Sequence, residues 1–241
     1  MKTKTLLIAA AALVAGVISS QAQVYSQNVV GYANIVTPSP GLNYLLSVPF
    51  KIGVSNGANE VFPNVPEFSQ VLIWSTPLAK YTGYQTDTAS PTGWSDASTS
   101  VPVGPPKLPV GMGFFFSPGD VNVTNTFAGT VAVNVGTSNV MTLASPGLNY
   151  LVGCVVPYAG TVTNGNASGG GPNLRDLPEF SQLLIWNTAL AKYAGVQTDT
   201  ASPTGWSDAS TSVQVPVPSI SVGQGFFISP GDVNAKWTTG L

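Results

Sequence analysis

The chain repeats itself, and this limits its folds more than any single motif. Ser39-Pro40-Gly41-Leu42-Asn43-Tyr44-Leu45 returns 106 residues later as Ser145-Pro146-Gly147-Leu148-Asn149-Tyr150-Leu151. Pro66-Glu67-Phe68-Ser69-Gln70 returns 112 residues later as Pro178-Glu179-Phe180-Ser181-Gln182. The extra residues fall in the Gly/Asn-rich stretch 163–171. The longer offset then holds from Leu78-Ala79-Lys80-Tyr81 and Leu190-Ala191-Lys192-Tyr193 to Ser117-Pro118-Gly119-Asp120 and Ser229-Pro230-Gly231-Asp232. Two copies are too few for a solenoid, and each is long enough to enclose its own core. The expected organisation is two modules, residues 24–129 and 130–241, behind a leader over residues 1–22.

Each copy reads as all-β. Val29 to Val36, Leu42 to Val48, Gln70 to Trp74 and Gly113 to Phe116 are short apolar runs rich in β-branched and aromatic residues. Lys80 to Gln85, Gly93 to Ala97 and Val121 to Phe127 add more polar candidates, for about seven strands per copy, and Gly57 to Phe62 allows one helical turn. The 26 Gly and 20 Pro punctuate these runs. The fold expected is two tandem homologous β-sandwich-like modules. Val71-Leu72-Ile73-Trp74 is apolar on consecutive residues, as in a strand covered on both faces.

Met1 to Ala22 has the three parts of a secretory signal: Lys2 and Lys4, the apolar run Leu6 to Ile18, and the small-residue ending Ser20-Gln21-Ala22. The apolar run is too short to span a bilayer, so the mature chain is expected without a membrane span. Its expected place is secreted, extracellular or at the cell surface, or the periplasm. Composition removes several functions. There is no His, so neither a Ser-His-Asp unit nor an imidazole metal ligand exists. The single Cys makes neither an internal disulfide nor a thiolate zinc site. The 8 basic residues form no nucleic-acid footprint. No enzyme activity and no cofactor are expected. Charged residues are only 7% of the chain, so little repulsion opposes contact with a neutral partner.

The lead-in Gln27-Asn28-Val29-Val30-Gly31-Tyr32-Ala33-Asn34 opens a recognisable order. It continues through a Leu-rich strand, Phe62-Pro63, Ile73-Trp74, Thr92-Gly93-Trp94-Ser95 and Val110-Gly111-Met112-Gly113-Phe114-Phe115. In this the chain resembles a group of uncharacterised exported bacterial β-repeat proteins, over essentially its whole mature length. The resemblance implies export and tandem β modules, and it implies no activity.

One internal comparison points at a surface. Gln85 to Val101 is identical over 17 residues to Gln197 to Val213, while Leu46-Ser47-Val48 has become Val152-Gly153-Cys154. Polar loops ordinarily vary more than strands. Recent duplication, a structural requirement with Trp94 and Trp206 as core plugs, and a shared binding surface each account for this identity. In the binding version Trp94 and Trp206 are platforms for a sugar ring, with Asp96, Asp87, Asp208 and Asp199 as hydrogen-bond partners and Tyr81 and Tyr193 as extensions. Glu67/Glu179, Asp87/Asp199, Asp96/Asp208 and Asp120/Asp232 are the repeated carboxylates, but turn compositions such as Ser-Pro-Gly-Asp suit an Asp that bonds its own backbone better than glycosidase chemistry. A Ca²⁺ site at Asp87 and Asp96 lacks EF-hand spacing. Cys154 stands where Val48 stands and reads as a small core residue, and Lys80 and Lys192 read as charges guarding an edge strand.

The first functional expectation is therefore an exported structural or surface-assembly protein whose partner is itself. It would polymerise head-to-tail by adding Val24 to Val36 of one molecule beside the C-terminal element Val233 to Leu241 of another. The alternative is a secreted protein that binds extracellular glycans, one site per module.

Overall fold

A computed structural model describes residues 30–38, 41–119, 121–133, 138–144, 147–162, 171–174, 177–231 and 234–240. The leader, Asp120 and Asp232 lie outside them. The chain is nearly all β, with antiparallel pairing throughout the described sheets.

The first half runs β1 (Val30–Thr37), β2 (Tyr44–Ser47), β3 (Phe50–Lys51), the one-turn helix α1 (Ala58–Val61), β4 (Gln70–Ser75), β5 (Lys80–Thr86), β6 (Trp94–Asp96), β7 (Gly113–Ser117) and β8 (Val123–Val131). The second half runs β9 (Ser138–Leu143), β10 (Tyr150–Gly153), β11 (Gly160–Thr161), β12 (Gly171–Asn173), β13 (Gln182–Asn187), β14 (Lys192–Thr198), β15 (Trp206–Asp208), β16 (Ser219–Ile220), β17 (Gly225–Ser229) and β18 (Ala235–Gly240). A three-stranded sheet in the order β1-β8-β3 faces a five-stranded sheet in the order β2-β7-β4-β5-β6. The second half has β9-β18-β12 and β10-β17-β13-β14-β15, with β12 falling at the repeat positions of α1 and not of β3.

The register follows the repeat. Ile35 pairs with Asn125 and Met141 with Trp237, positions related by the two offsets of the sequence. Between the sheets lie apolar side chains at alternate strand positions, the arrangement that period-two patterning produces. Phe50, Phe114, Phe116, Phe127 and Trp94 fill the first layer. Leu143, Leu183, Phe226, Ile228, Trp206 and Trp237 fill the second.

The opposite face of each five-stranded sheet meets the other half. Leu45, Phe115, Leu151 and Phe227 are buried there, with Leu72, Trp74, Leu184 and Trp186 packed around them. Val71 and Ile73 point into the first core while Leu72 and Trp74 point into this seam, so β4 is covered on both faces. The contacts come in exchanged pairs. Trp74 Nε1 donates to the carbonyl of Asn149 at 2.8 Å, and Trp186 Nε1 donates to that of Asn43 at 2.7 Å. Trp74 meets Phe227 edge-to-face at 5.4 Å, and Phe115 meets Trp186 at 5.1 Å. The Ser47 amide donates to the Gly223 carbonyl at 2.8 Å, and the Gly153 amide to the Gly111 carbonyl at 2.9 Å. Position i touches the counterpart of j wherever j touches the counterpart of i, which is the property of a two-fold interface. Near the axis, Ser47 faces its own counterpart, Gly153, where an added Cβ would fall 2.0 Å from the Ser47 hydroxyl oxygen.

The strand pairing around the junction differs from the one the head-to-tail reading assumed. The last strand of the first half does not pair with the first strand of the second; β8 pairs with β1 and β3, and β9 pairs with β18. The C-terminal element is not free either, because β18 lies between β9 and β12. Lys80 is exposed and pairs with Ser75 of β4, while β6 pairs only with Tyr84, Gln85 and Thr86, so the other side of β5 at Lys80 has no strand partner among the described residues.

Candidate functional site

The repeated segment folds as the end of β5, a Ser/Thr loop, β6 and its exit turn. Its polar side chains are mostly engaged with nearby backbone. Asp87 Oδ1 accepts the Ala89 amide at 2.9 Å, and Ser90 Oγ donates to the Trp94 carbonyl at 2.7 Å. The Thr92 hydroxyl bonds the carbonyls of Trp94 and Val103. Asp199, Ser202 and Thr204 make the corresponding bonds in the second half.

Asp96 caps the exit turn. Its Oδ1 accepts the Ser98 hydroxyl at 2.6 Å, the Thr99 amide at 2.9 Å, the Ser98 amide at 2.9 Å and the Thr99 hydroxyl at 3.0 Å. These bonds, led by the Ser98 hydroxyl, favour the charged form and hold the carboxyl down to about 2. Asp208, led by the Ser210 hydroxyl, is held down to about 2 in the same way. Ser100 and Ser212 close these turns at φ 56°. Both aspartates belong to the backbone's own turn.

Trp94 and Trp206 are 3% and 1% exposed and lie in the two cores. Neither indole offers an open face to a sugar ring, because β6 and β15 turn them inward as core plugs. Tyr81 and Tyr193 lie in the seam, their hydroxyls 3.5 Å apart, and burial pushes both phenols above their usual range. The four residues expected to share a surface in each module are thus divided among core, turn and seam.

What the repeated residues do line is a twin pocket. In the second half Glu179, Asp199, Thr200, Ser202 and Thr204 surround a hollow of about 550 Å³ over the edge of Trp206. In the first half the hollow by Glu67, Asp87, Thr88 and Trp94, lined also by Asn59, Phe62 and Pro63, has a volume of about 210 Å³. Glu67 accepts the Thr88 hydroxyl at 2.7 Å, and Glu179 the Thr200 hydroxyl at 2.9 Å. Beside them sit two residues that sequence reasoning passed over. Phe68 and Phe180 are 58% and 61% exposed, and both have a φ of 63°. Their repetition inside Pro-Glu-Phe-Ser-Gln was visible, but nothing in that pattern says that the ring points outward. Among the described residues no three His, Cys, Asp or Glu side chains gather as a metal site.

The sheet edges separate more sharply. The outer edge of β6 is bridged by Ser95 to Pro102, and that of β15 by Ser207 to Gln214. The seam covers β2 through Leu46 and Gln224, and β10 through Met112 and Val152. β3 has two residues, one of them Lys51, and β12 has three with Pro172 at its centre. Short strands, charges and prolines are ordinary ways to make an edge unattractive to another strand. β1 has none of them. It is eight residues long, uncharged and, among the described residues, paired on one side only. Val30, Tyr32 and Val36 on its outward face are 72%, 74% and 57% exposed. β9, its counterpart, is likewise uncharged and, among the described residues, paired on one side, with Val140 52% exposed.

No family model matches the chain, and neither a curated protein nor a solved structure does. No helix among the described residues is long and apolar enough to cross a membrane.

Proposed function

We propose that this chain is an exported structural protein of the cell surface or extracellular space, formed of two sandwich-like modules, that assembles with copies of itself. The observation that carries the reading is the bare outer edge of β1, beside six other edges among the described residues that are bridged, short or interrupted by proline. An uncharged strand with unpaired main-chain groups is a template for another strand. The low overall charge supports the same reading, since little repulsion opposes close approach of two copies. Assembly by strand addition then uses β1 and not the chain's last strand, which is already paired on both sides.

The test is size-exclusion chromatography with negative-stain electron microscopy on protein beginning at residue 23. Elongated assemblies are expected, reduced to dimers or monomers by Tyr32→Lys, with the circular dichroism of the fold retained. A monomer at high protein concentration overturns the proposal.

A further inference from the structure

We infer that the occupant of the β1 edge is β1 of a second copy, antiparallel and related by a two-fold axis through Ala33. This rests on the self-assembly reading and specifies its contact.

Three features select that partner and register. First, the edge displays main-chain donors and acceptors, so its complement is an extended strand. Second, side chains alternate along β1. Val30, Tyr32, Asn34 and Val36 are exposed on the outward face, while Ala33 and Thr37 are buried on the other. A pairing keeps outward residues together only if each residue faces one of the same parity, since a one-residue slip reverses every side chain.

Third, centring on Ala33 sets Val30 opposite the second copy's Val36 and Tyr32 opposite its Asn34. All three exposed apolar side chains of each copy then lie in one continuous band. Centring one residue later on Asn34 leaves Val30 without a partner. The band continues onto β8, where Thr126 already donates its hydroxyl to Asn34 at 2.7 Å. Asn34, Ile35 and Val36 line a groove of about 350 Å³ together with Val222, Gly223 and Gln224 of the second half. β9 gives each chain a second bare edge, so contacts at both edges continue as a filament and do not stop at a dimer.

Cysteine cross-linking reads the register directly. Val30→Cys and Val36→Cys are placed in separate full-length mature chains. Cys154, 4% exposed, stays in place and wild-type protein serves as the control. Directly opposed residues of antiparallel strands have Cα atoms about 4.5–5.5 Å apart, within disulfide reach. Position 30 lies roughly 20 Å from its own copy in this register. Mild oxidation of the mixture is expected to give a covalent dimer containing one chain of each variant, and oxidation of either variant alone is expected to give almost none. Assemblies on the microscope grid without the mixed cross-link overturn the β1 pairing and leave self-assembly standing. Monomers on the grid and no cross-link overturn both.

Discussion

The two halves fill equivalent cores with different side chains. In the first half, β8 places Asn125 and Phe127 inward; at the same two positions of β18 stand Trp237 and Thr239. Large and small have exchanged places. Phe62, which stacks on Phe116 at 4.6 Å and meets Phe127 edge-to-face at 5.8 Å, has Leu174 as its counterpart. In the second half Trp237 meets Phe226 edge-to-face at 5.4 Å. Each solution leaves its small polar member with a buried atom that makes no hydrogen bond among the described residues, Asn125 Nδ2 in one and Thr239 Oγ1 in the other. The backbone register is therefore more general than the packing it encloses. Conserved volume and pattern give the same sheet pair from different side chains.

The strongest way to break this equivalence is to mix the two solutions. Phe127→Thr by itself is expected to cost about 3 kcal/mol or more in chemical denaturation, since it empties the space under Phe62. Combining it with Asn125→Trp and Phe62→Leu transplants the second-half arrangement. This is expected to recover much of the loss, and a simple sum of the single effects would show that the three positions do not act together.

A smaller effect is expected at the seam. Gly153→Ser sets two serines against each other where an added Cβ falls 2.0 Å from the Ser47 hydroxyl oxygen. An overpacking cost of about 1–3 kcal/mol should appear in the unfolding midpoint. Ser47→Gly in the same chain exchanges the two residues across the axis and should restore stability; if it does not, the seam is less symmetric than its contacts.

The smallest expected effect concerns the turns, where the halves agree. Asp96 and Asp208 titrate at about 2 in the folded chain, below the roughly 3.9 of an unfolded aspartate. Depressed carboxyls contribute stability above the unfolded value, and that contribution fades as pH falls from about 4 towards 2. Asp96→Asn and Asp208→Asn should each flatten the acid limb of a stability profile followed by circular dichroism, and by similar amounts. Unequal slopes would separate two turns that make the same bonds.

The strands were legible because β patterning is local. Val29 to Val36 anticipated β1, Gln70 to Trp74 anticipated β4, and the helical turn lies where Gly57 to Phe62 allowed it. The double coverage of Val71 to Trp74 was legible too, since an unbroken apolar run has no face to leave in water. Cys154 sits in the second core, and burial pushes its thiol up to about 12. The candidate site was not legible. Trp94 and Tyr81 are neighbours in the repeat, but their strands send one ring to the core and the other to the seam. The arrangement of the halves was also beyond reach, because chain order says which segment follows which and nothing about whether two faces meet by translation or rotation. Two separate bonds from tryptophan to carbonyl, one in each direction, carry that information.

The seam also has a mechanical consequence. Holding both faces in one polypeptide gives them an effective concentration on the order of millimolar. A contact too weak to join two separate chains would still stay closed. Affinity is thus supplied largely by the connection, and the bonds of Trp74 and Trp186 are left to fix orientation. That orientation sets the angle between the bare edges of β1 and β9, and with it the pitch of any polymer built through them.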